Sequence, residues 1–213
     1  MKTDELVSLL AAGAEPVPGH VVGRRFAMAL GWSVPAAALV MALMFGVRHD
    51  LAQAMTGWLF WMKLVFAGSL ALAGVIAIER LGRPGMRLAG SWMALAAPVL
   101  LLWLAAAVVL FDAEPAQRAD LIFGTTWKTC PFNIALISLP LLAATLWTLK
   151  GLAPTRLTLA GAGAGVLAGA LSALVYALHC PESALPFIGI WYVLGMAMPT
   201  LAGALLGPRL LRW

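Results

Sequence analysis

Charged residues are scarce in this chain. Only 11% of its 213 residues are Asp, Glu, Lys or Arg, whereas 62% are apolar, and the mean hydropathy is +0.94. A soluble domain carries about 25% charged residues, so these side chains are too few to cover a water-soluble fold. The shortage of charge therefore excludes a soluble globular protein and predicts an integral membrane protein.

The long apolar runs contain no acidic residue. Lys63 is the one basic residue within them, and it is close enough to the end of its run to snorkel towards the interface. The runs also lack the period-2 alternation of membrane β-strands. We therefore predict an all-α fold, a polytopic bundle of six transmembrane helices over residues 26–213, preceded by a cytoplasmic tail over residues 1–25. The predicted spans are Phe26–Val47, Leu59–Ile78, Gly90–Phe111, Pro131–Leu149, Leu157–Leu178 and Leu185–Leu206.

Basic residues at the ends of the spans predict the orientation. If the N-terminus is inside, ten of the 14 Lys and Arg residues fall on the cytoplasmic side and four on the outer side. Because basic residues resist translocation, both termini are predicted to be cytoplasmic. Topology thus accounts for the net charge of +5, and no direct binding to nucleic acid is expected.

The sequence shows no catalytic constellation. It has no nucleophile elbow, no Gly-rich phosphate loop and no pair of mid-span carboxylates. We therefore predict that the protein is not an enzyme and needs no cofactor. No charged residue lies in the middle of a predicted span, and this argues against a transporter. A transporter is therefore a distant alternative.

Only two cysteines occur, Cys130 and Cys180, and they form no Cys-x-x-Cys motif. The predicted topology places both on the outer face. Because Pro131 suits the first position of a helix, Cys130 is expected at the N-cap of its span. There the helix dipole and Lys128 would lower the pKa of the thiol. Cys130 is thus the predicted reactive thiol, and Cys180 its resolving partner.

Several kinds of chemistry remain open for this pair. A redox-responsive pair is favoured, and a static disulfide in an oxidising compartment is the main alternative. The third possibility is that the thiols remain unmodified or that they bind a metal ion. The metal site would be formed by Cys130, Cys180 and His179. Glu182 would be a further ligand or, with His179, would support the thiol site. A membrane thiol-disulfide oxidoreductase is the rival function, although a lone pair without further redox centres argues against it.

The start of the chain predicts a short amphipathic helix. Thr3 is a natural N-cap, Asp4 suits the positive end of the helix dipole, and Leu6, Leu9 and Leu10 form one apolar stripe. A helix of about ten residues is marginal alone in water, so it should be stable mainly when docked. It would dock on a soluble partner, on its own bundle or on the lipid surface.

Small residues form a ridge on the fifth predicted span. Gly161, Gly165 and Gly169 recur at a spacing of four residues, which allows another helix to approach closely. Packing within the molecule is the favoured interpretation, and a homodimer face is the alternative.

Several segments along the chain are distinctive when taken together. They are residues 2–6, Leu9-Leu10, residues 16–18, 124–131, 153–156, 179–187, 191–192 and 207–213. The cysteine-proline segments and the tail are the specific ones, because apolar spans are common to many families. Together these segments resemble the NrsF family of bacterial inner-membrane anti-sigma factors, the negative regulators of sigma F.

The resemblance implies a function that composition and spacing do not provide. It implies a multi-pass protein of the bacterial inner membrane that sequesters an extracytoplasmic-function sigma factor and releases it under oxidative or heavy-metal stress. The family's two sensing cysteines correspond to Cys130 and Cys180. We therefore expect the sigma factor to bind the cytoplasmic N-terminal helix.

Overall fold

A computed structural model describes residues 3–13, 21–82, 90–152 and 154–212. The described residues contain helices and loops and no strand, which confirms the all-α prediction. A π-helical turn, Ile188–Tyr192, joins the last two helices. The helices are α1 (Thr3–Ala12), α2 (Val21–Met44), α3 (Leu51–Ala54), α4 (Trp58–Leu81), α5 (Ser91–Asp112), α6 (Pro115–Phe123), α7 (Cys130–Lys150), α8 (Leu157–Tyr176), α9 (Leu185–Phe187) and α10 (Val193–Leu210).

Six helical segments of the described chain are long and apolar enough to cross a membrane, as predicted. The first differs most from its prediction, since it covers Gly23–Met44 instead of Phe26–Val47. The helix ends early because Gly46 adopts a positive φ of 76°, which turns the backbone out of the helix. The other five are Trp58–Leu81, Trp92–Asp112, Cys130–Lys150, Leu157–Tyr176 and Leu185–Leu210.

Prolines lie inside four of these segments without ending them. Pro35, Pro98, Pro140 and Pro199 each occupy an interior position of a continuous helix. Neighbouring helices in a membrane bundle satisfy the carbonyls that a proline leaves unpaired, which allows the helices to continue.

Helix α8 lies at the centre of the bundle. In its apolar window 67% of the residues are buried, compared with 11% for α5 at the periphery. A Cβ added at Gly161 or Gly165 would collide with the backbone of Gly203 or Pro199 on α10. The small-residue ridge is therefore used within the molecule, and α10 covers the face that a homodimer based on this ridge would need.

Contacts between distant segments define the two ends of the bundle. At one end, which we call the cysteine end, the N–H of Arg48 donates to the carbonyl of Leu178 at 3.1 Å. At the other, which we call the Arg25 end, the guanidinium of Arg25 donates to the carbonyl of Gly151 at 2.9 Å. Helix α2 begins at the Arg25 end, so α1 precedes that end in the chain.

Candidate functional site

The two cysteines lie together at the cysteine end of the bundle. Cys130 is the first residue of α7, and Cys180 follows α8 in the turn that leads to α9. Both are free thiols and both are completely buried. The Cys130 thiol donates a hydrogen bond to the Cys180 sulfur. Residues 50 positions apart thus form one thiol pair.

The start of α7 differs in detail from the prediction. Thr129, and not Cys130, is the N-cap. The N–H of Cys130 donates to the carbonyl of Thr126 at 2.9 Å, so the chain is already turning in helical fashion before the cysteine. The ammonium of Lys128 lies 5.4 Å from the ring centroid of Trp127. The ammonium of Lys128 therefore lies against an aromatic ring. A different cation lies beside the two sulfurs.

That cation is Lys63. Its side chain is fully buried, so the expectation that it snorkels to the interface is wrong. Its ammonium donates to the carbonyl of Cys180 at 3.1 Å and to that of Glu182 at 2.9 Å. It also lies 5.5 Å from the ring centroid of Tyr192, within cation–π range. These acceptors hold Lys63 inside the bundle.

The charges around the pair favour a thiolate on Cys180. The hydrogen bond from Cys130 and the positive charge of Lys63 lower the pKa of Cys180 to about 6, although burial acts in the opposite direction. The hydrogen bond and the charge of Lys63 thus favour the thiolate form at Cys180, with Cys130 as the hydrogen-bond donor. The sequence analysis instead assigned the more reactive thiol to Cys130, on the basis of Lys128 and the start of α7.

Polar contacts join the loops around the pair. The carboxylate of Glu182 accepts hydrogen bonds from the N–H and the hydroxyl of Thr125 at 2.8 and 2.7 Å. The guanidinium of Arg48 donates to the Cys180 carbonyl at 3.2 Å and forms a two-point ion pair with Asp50. This ion pair lowers the pKa of Asp50 to about 2. Two loops thus hold the turn that carries Cys180.

His179 has a structural contact of its own. Its Nδ1 lies 2.9 Å from the carbonyl oxygen of Gly46 in the loop after α2. No cluster of three or more His, Cys, Asp or Glu side chains suited to a metal ion occurs in the part of the chain that the structure describes. The geometry therefore does not support the metal site of Cys130, Cys180 and His179.

Sequence reasoning missed several residues of this site. Lys63 was assigned to the end of a span, and Arg48 and Tyr192 were assigned no role in this site. Tyr192 is completely buried in the π-helical turn, with its ring beside the Lys63 ammonium. One signal was available, since Lys63 is the only charged residue within a predicted span, and such residues often mark functional sites.

The N-terminal segment forms the predicted helix, α1, from Thr3 to Ala12. All its residues are exposed. Leu6, Leu9 and Leu10 are 42%, 65% and 68% exposed, so their stripe is not buried against the rest of the described chain. This argues against docking on its own bundle and leaves an apolar helix face open.

Comparisons with known proteins agree over the whole chain. The family model of NrsF, negative regulator of sigma F, matches residues 10–213. A curated relative from Azospira oryzae, "Probable anti-sigma-F factor NrsF", is 49% identical, and the match covers 100% of both chains. "Anti-sigma-F factor NrsF" from Caulobacter vibrioides is 39% identical, again over 100% of both chains. No solved structure matches. The chain therefore belongs to the NrsF family of negative regulators of sigma F.

Proposed function

We propose that this chain is an anti-sigma factor of the bacterial inner membrane. Its cytoplasmic helix α1 sequesters an extracytoplasmic-function sigma factor and releases it when Cys130 and Cys180 meet an oxidant or a heavy metal. The observation that carries the proposal is the separation of the two elements. The thiol pair lies at the cysteine end, whereas α1 precedes the Arg25 end.

The length of the linker favours a position of α1 on the side of the Arg25 end. From Gly13 to Val21 a fully extended chain spans at most about 28 Å. The hydrocarbon core of a bilayer is about 30 Å thick, so a position on the side of the cysteines would require the whole linker to be stretched through the bilayer. The excess of basic residues at the Arg25 end favours its placement in the cytoplasm, with the thiols in the periplasm.

The tail helix supplies the binding surface in this proposal. Leu6, Leu9 and Leu10 anchor in a groove of the sigma factor, while Thr3 and Asp4 favour the start of the helix. An isolated helix of this length is marginal in water, and the exposed leucines need a covering surface. Regions 1–25 and 26–213 thus act as binding tail and membrane domain.

The thiol pair supplies the sensor. Its two free, adjacent sulfurs can close to a disulfide. The disulfide removes the thiol–thiolate hydrogen bond and changes the contacts of the Cys180 turn. A signal to α1 then requires two arrangements of the bundle whose balance the sulfurs bias.

No observation favours the rival functions. The thiols are fully buried, which keeps a protein substrate of a thiol-disulfide oxidoreductase from reaching them. A transporter is likewise not part of the proposal. Neither is a homodimer, because the small-residue ridge packs against α10. The exposed apolar side chains of α5 face lipid.

Co-purification before and after oxidation tests the proposal. The full chain is extracted in detergent from cells that express the sigma factor, and transcription from a sigma-dependent promoter is followed in parallel. We expect the sigma factor to co-purify with the reduced chain and to be lost after oxidant treatment. Cys130→Ser and Cys180→Ser should keep the sigma factor bound under oxidant, whereas the nearby control Thr129→Ser should release it normally. Normal release in both cysteine variants would overturn the sensor, and no co-purification at all would overturn the sequestration.

A further inference from the structure

Lys63 is a buried cation without a carboxylate partner in the described chain. Its ammonium contacts the carbonyls of Cys180 and Glu182 and the ring of Tyr192. The one salt bridge that the structure shows at this end joins Arg48 to Asp50. Carbonyl oxygens carry only partial charge. The Glu182 carboxylate attracts Lys63 as well, but it is hydrogen-bonded to Thr125 and forms no ion pair with the ammonium among the described residues.

Burial makes this arrangement costly unless an anion lies close by. A buried charge without a partner is strongly unfavourable. Among the acidic groups that attract Lys63, Cys180 acts most strongly, and Lys63 in turn favours the thiolate through its charge. The same ammonium also holds the main chain of Cys180 in place. One side chain thus acts on both the charge and the position of this residue.

Several other titratable groups face Cys180. Some of them favour its thiolate form, and others disfavour it. The Cys130 thiol donates to the sulfur, whereas the Glu182 carboxylate is engaged with Thr125. Arg48 is attracted to Cys180 as well, but Asp50 neutralises it. Lys63 is consequently the unneutralised cation of the group. The facing titratable groups are Cys130, Lys63, Tyr192, Arg48, Glu182 and Tyr176.

We propose that Lys63 is the positioning residue of the thiol pair, which makes Cys180 the nucleophilic thiolate and Cys130 the resolving thiol. The inference rests on the redox role proposed above and adds the residue that controls it. It also assigns the order of attack. Lys128, at the same end of the bundle, has no such effect because it lies on the ring of Trp127.

The reaction with a hydroperoxide, ROOH, shows the consequence. The Cys180 thiolate attacks one peroxide oxygen, which gives a sulfenic acid, Cys180–SOH, and an alkoxide, RO⁻, that takes a proton from water. The Cys130 thiol then attacks the sulfenic sulfur, so that the disulfide forms and water leaves. The two sulfurs lose two electrons to the peroxide. The anion beside Lys63 disappears, and this disfavours the arrangement that holds α4 against the Cys180 turn.

The pH dependence of thiol alkylation tests the proposal. The full chain in detergent is treated with iodoacetamide over a series of pH values, and mass spectrometry gives the rate at Cys180. The wild-type rate should rise through a midpoint near pH 6. Lys63→Met removes the charge, so the midpoint should rise by at least about one unit, which is a loss of about tenfold in thiolate at about pH 5. The oxidant concentration for half-maximal release of the sigma factor, measured at that pH, should rise by a similar factor.

Two variants serve as controls. Lys63→Arg keeps the charge and should restore the midpoint, whereas Lys128→Met removes a neighbouring exposed charge and should leave it unchanged. An unshifted profile in Lys63→Met overturns the inference. If that variant does not accumulate, a wild-type midpoint at the ordinary cysteine pKa overturns it equally. Normal stress release in the cysteine-to-serine variants would refute the proposed sensor, while the alkylation profile of Lys63→Met would still decide the role of Lys63.

Discussion

Glu182 accepts two hydrogen bonds from Thr125, one from the backbone N–H at 2.8 Å and one from the hydroxyl at 2.7 Å. Thr125 lies five residues before Cys130, and Glu182 lies two residues after Cys180. A Cβ at the neighbouring Gly124, whose φ is +50°, would collide with this carboxylate. The pair therefore closes the two loops over the buried thiols.

Glu182→Ala should release the two loops and make the buried thiols more accessible. Hydrogen bonds to a charged group contribute about 1.5–3 kcal/mol, and partial exposure reduces this pair to about 1 kcal/mol. We expect both thiols to be alkylated about fivefold faster at one fixed pH. Thr125→Val removes only the hydroxyl bond and should give a smaller increase. Equal alkylation rates in Glu182→Ala and the wild-type chain would contradict this role.

Gly165→Ala should destabilise the bundle. The added Cβ would meet the backbone of Pro199 and Thr200, which cannot move aside as a flexible side chain would. Overpacking of this kind costs about 1–3 kcal/mol. Gly68→Ala is the matched control, because no atom lies within 4 Å of its new Cβ, and it should stabilise α4 slightly. Denaturation in detergent mixtures, followed by helical circular dichroism, would measure both. Equal stabilities would argue against close packing of α8 and α10.

The ion pair of Arg48 and Asp50 should persist into acid. The pKa of Asp50 falls from 3.8 to about 2 because Arg48 donates to its carboxylate. A depressed pKa contributes stability that is fully present above the unfolded value and is lost as the pH falls through the folded value. The difference in unfolding free energy between wild type and Asp50→Asn should therefore be constant above pH 3.8 and shrink towards pH 2. A difference that changes near neutral pH would point to another titrating group.

The spans could be predicted because the length and polarity of apolar runs determine them locally. The meeting of Cys130 and Cys180 at one end follows from counting the spans between them. Lys63 could not be placed in this way, since its acceptors lie 117 and 119 residues further along the chain. The cation beside the thiols was missed for the same reason. Neighbours in sequence suggested Lys128, whereas tertiary packing provides Lys63.

The exposed stripe of α1 yields a test of sequestration. Leu6→Asp places a charge on the face formed with Leu9 and Leu10, which are 65% and 68% exposed and need a partner to cover them. Losing one buried leucine costs about 1.5–3 kcal/mol, and burying the new carboxylate costs more. We expect at least tenfold weaker co-purification of the sigma factor and constitutive transcription from its promoter.

Ser8→Asp is the matched control for Leu6→Asp. Ser8 lies about 200° around the helix from Leu6, on the opposite face, so the same charge should leave repression intact. Immunoblots of membrane fractions would confirm that both variants accumulate equally. Full repression by Leu6→Asp, or equal derepression by both variants, would show that the leucine stripe is not the sigma-factor contact. The binding surface would then have to lie elsewhere on the cytoplasmic side.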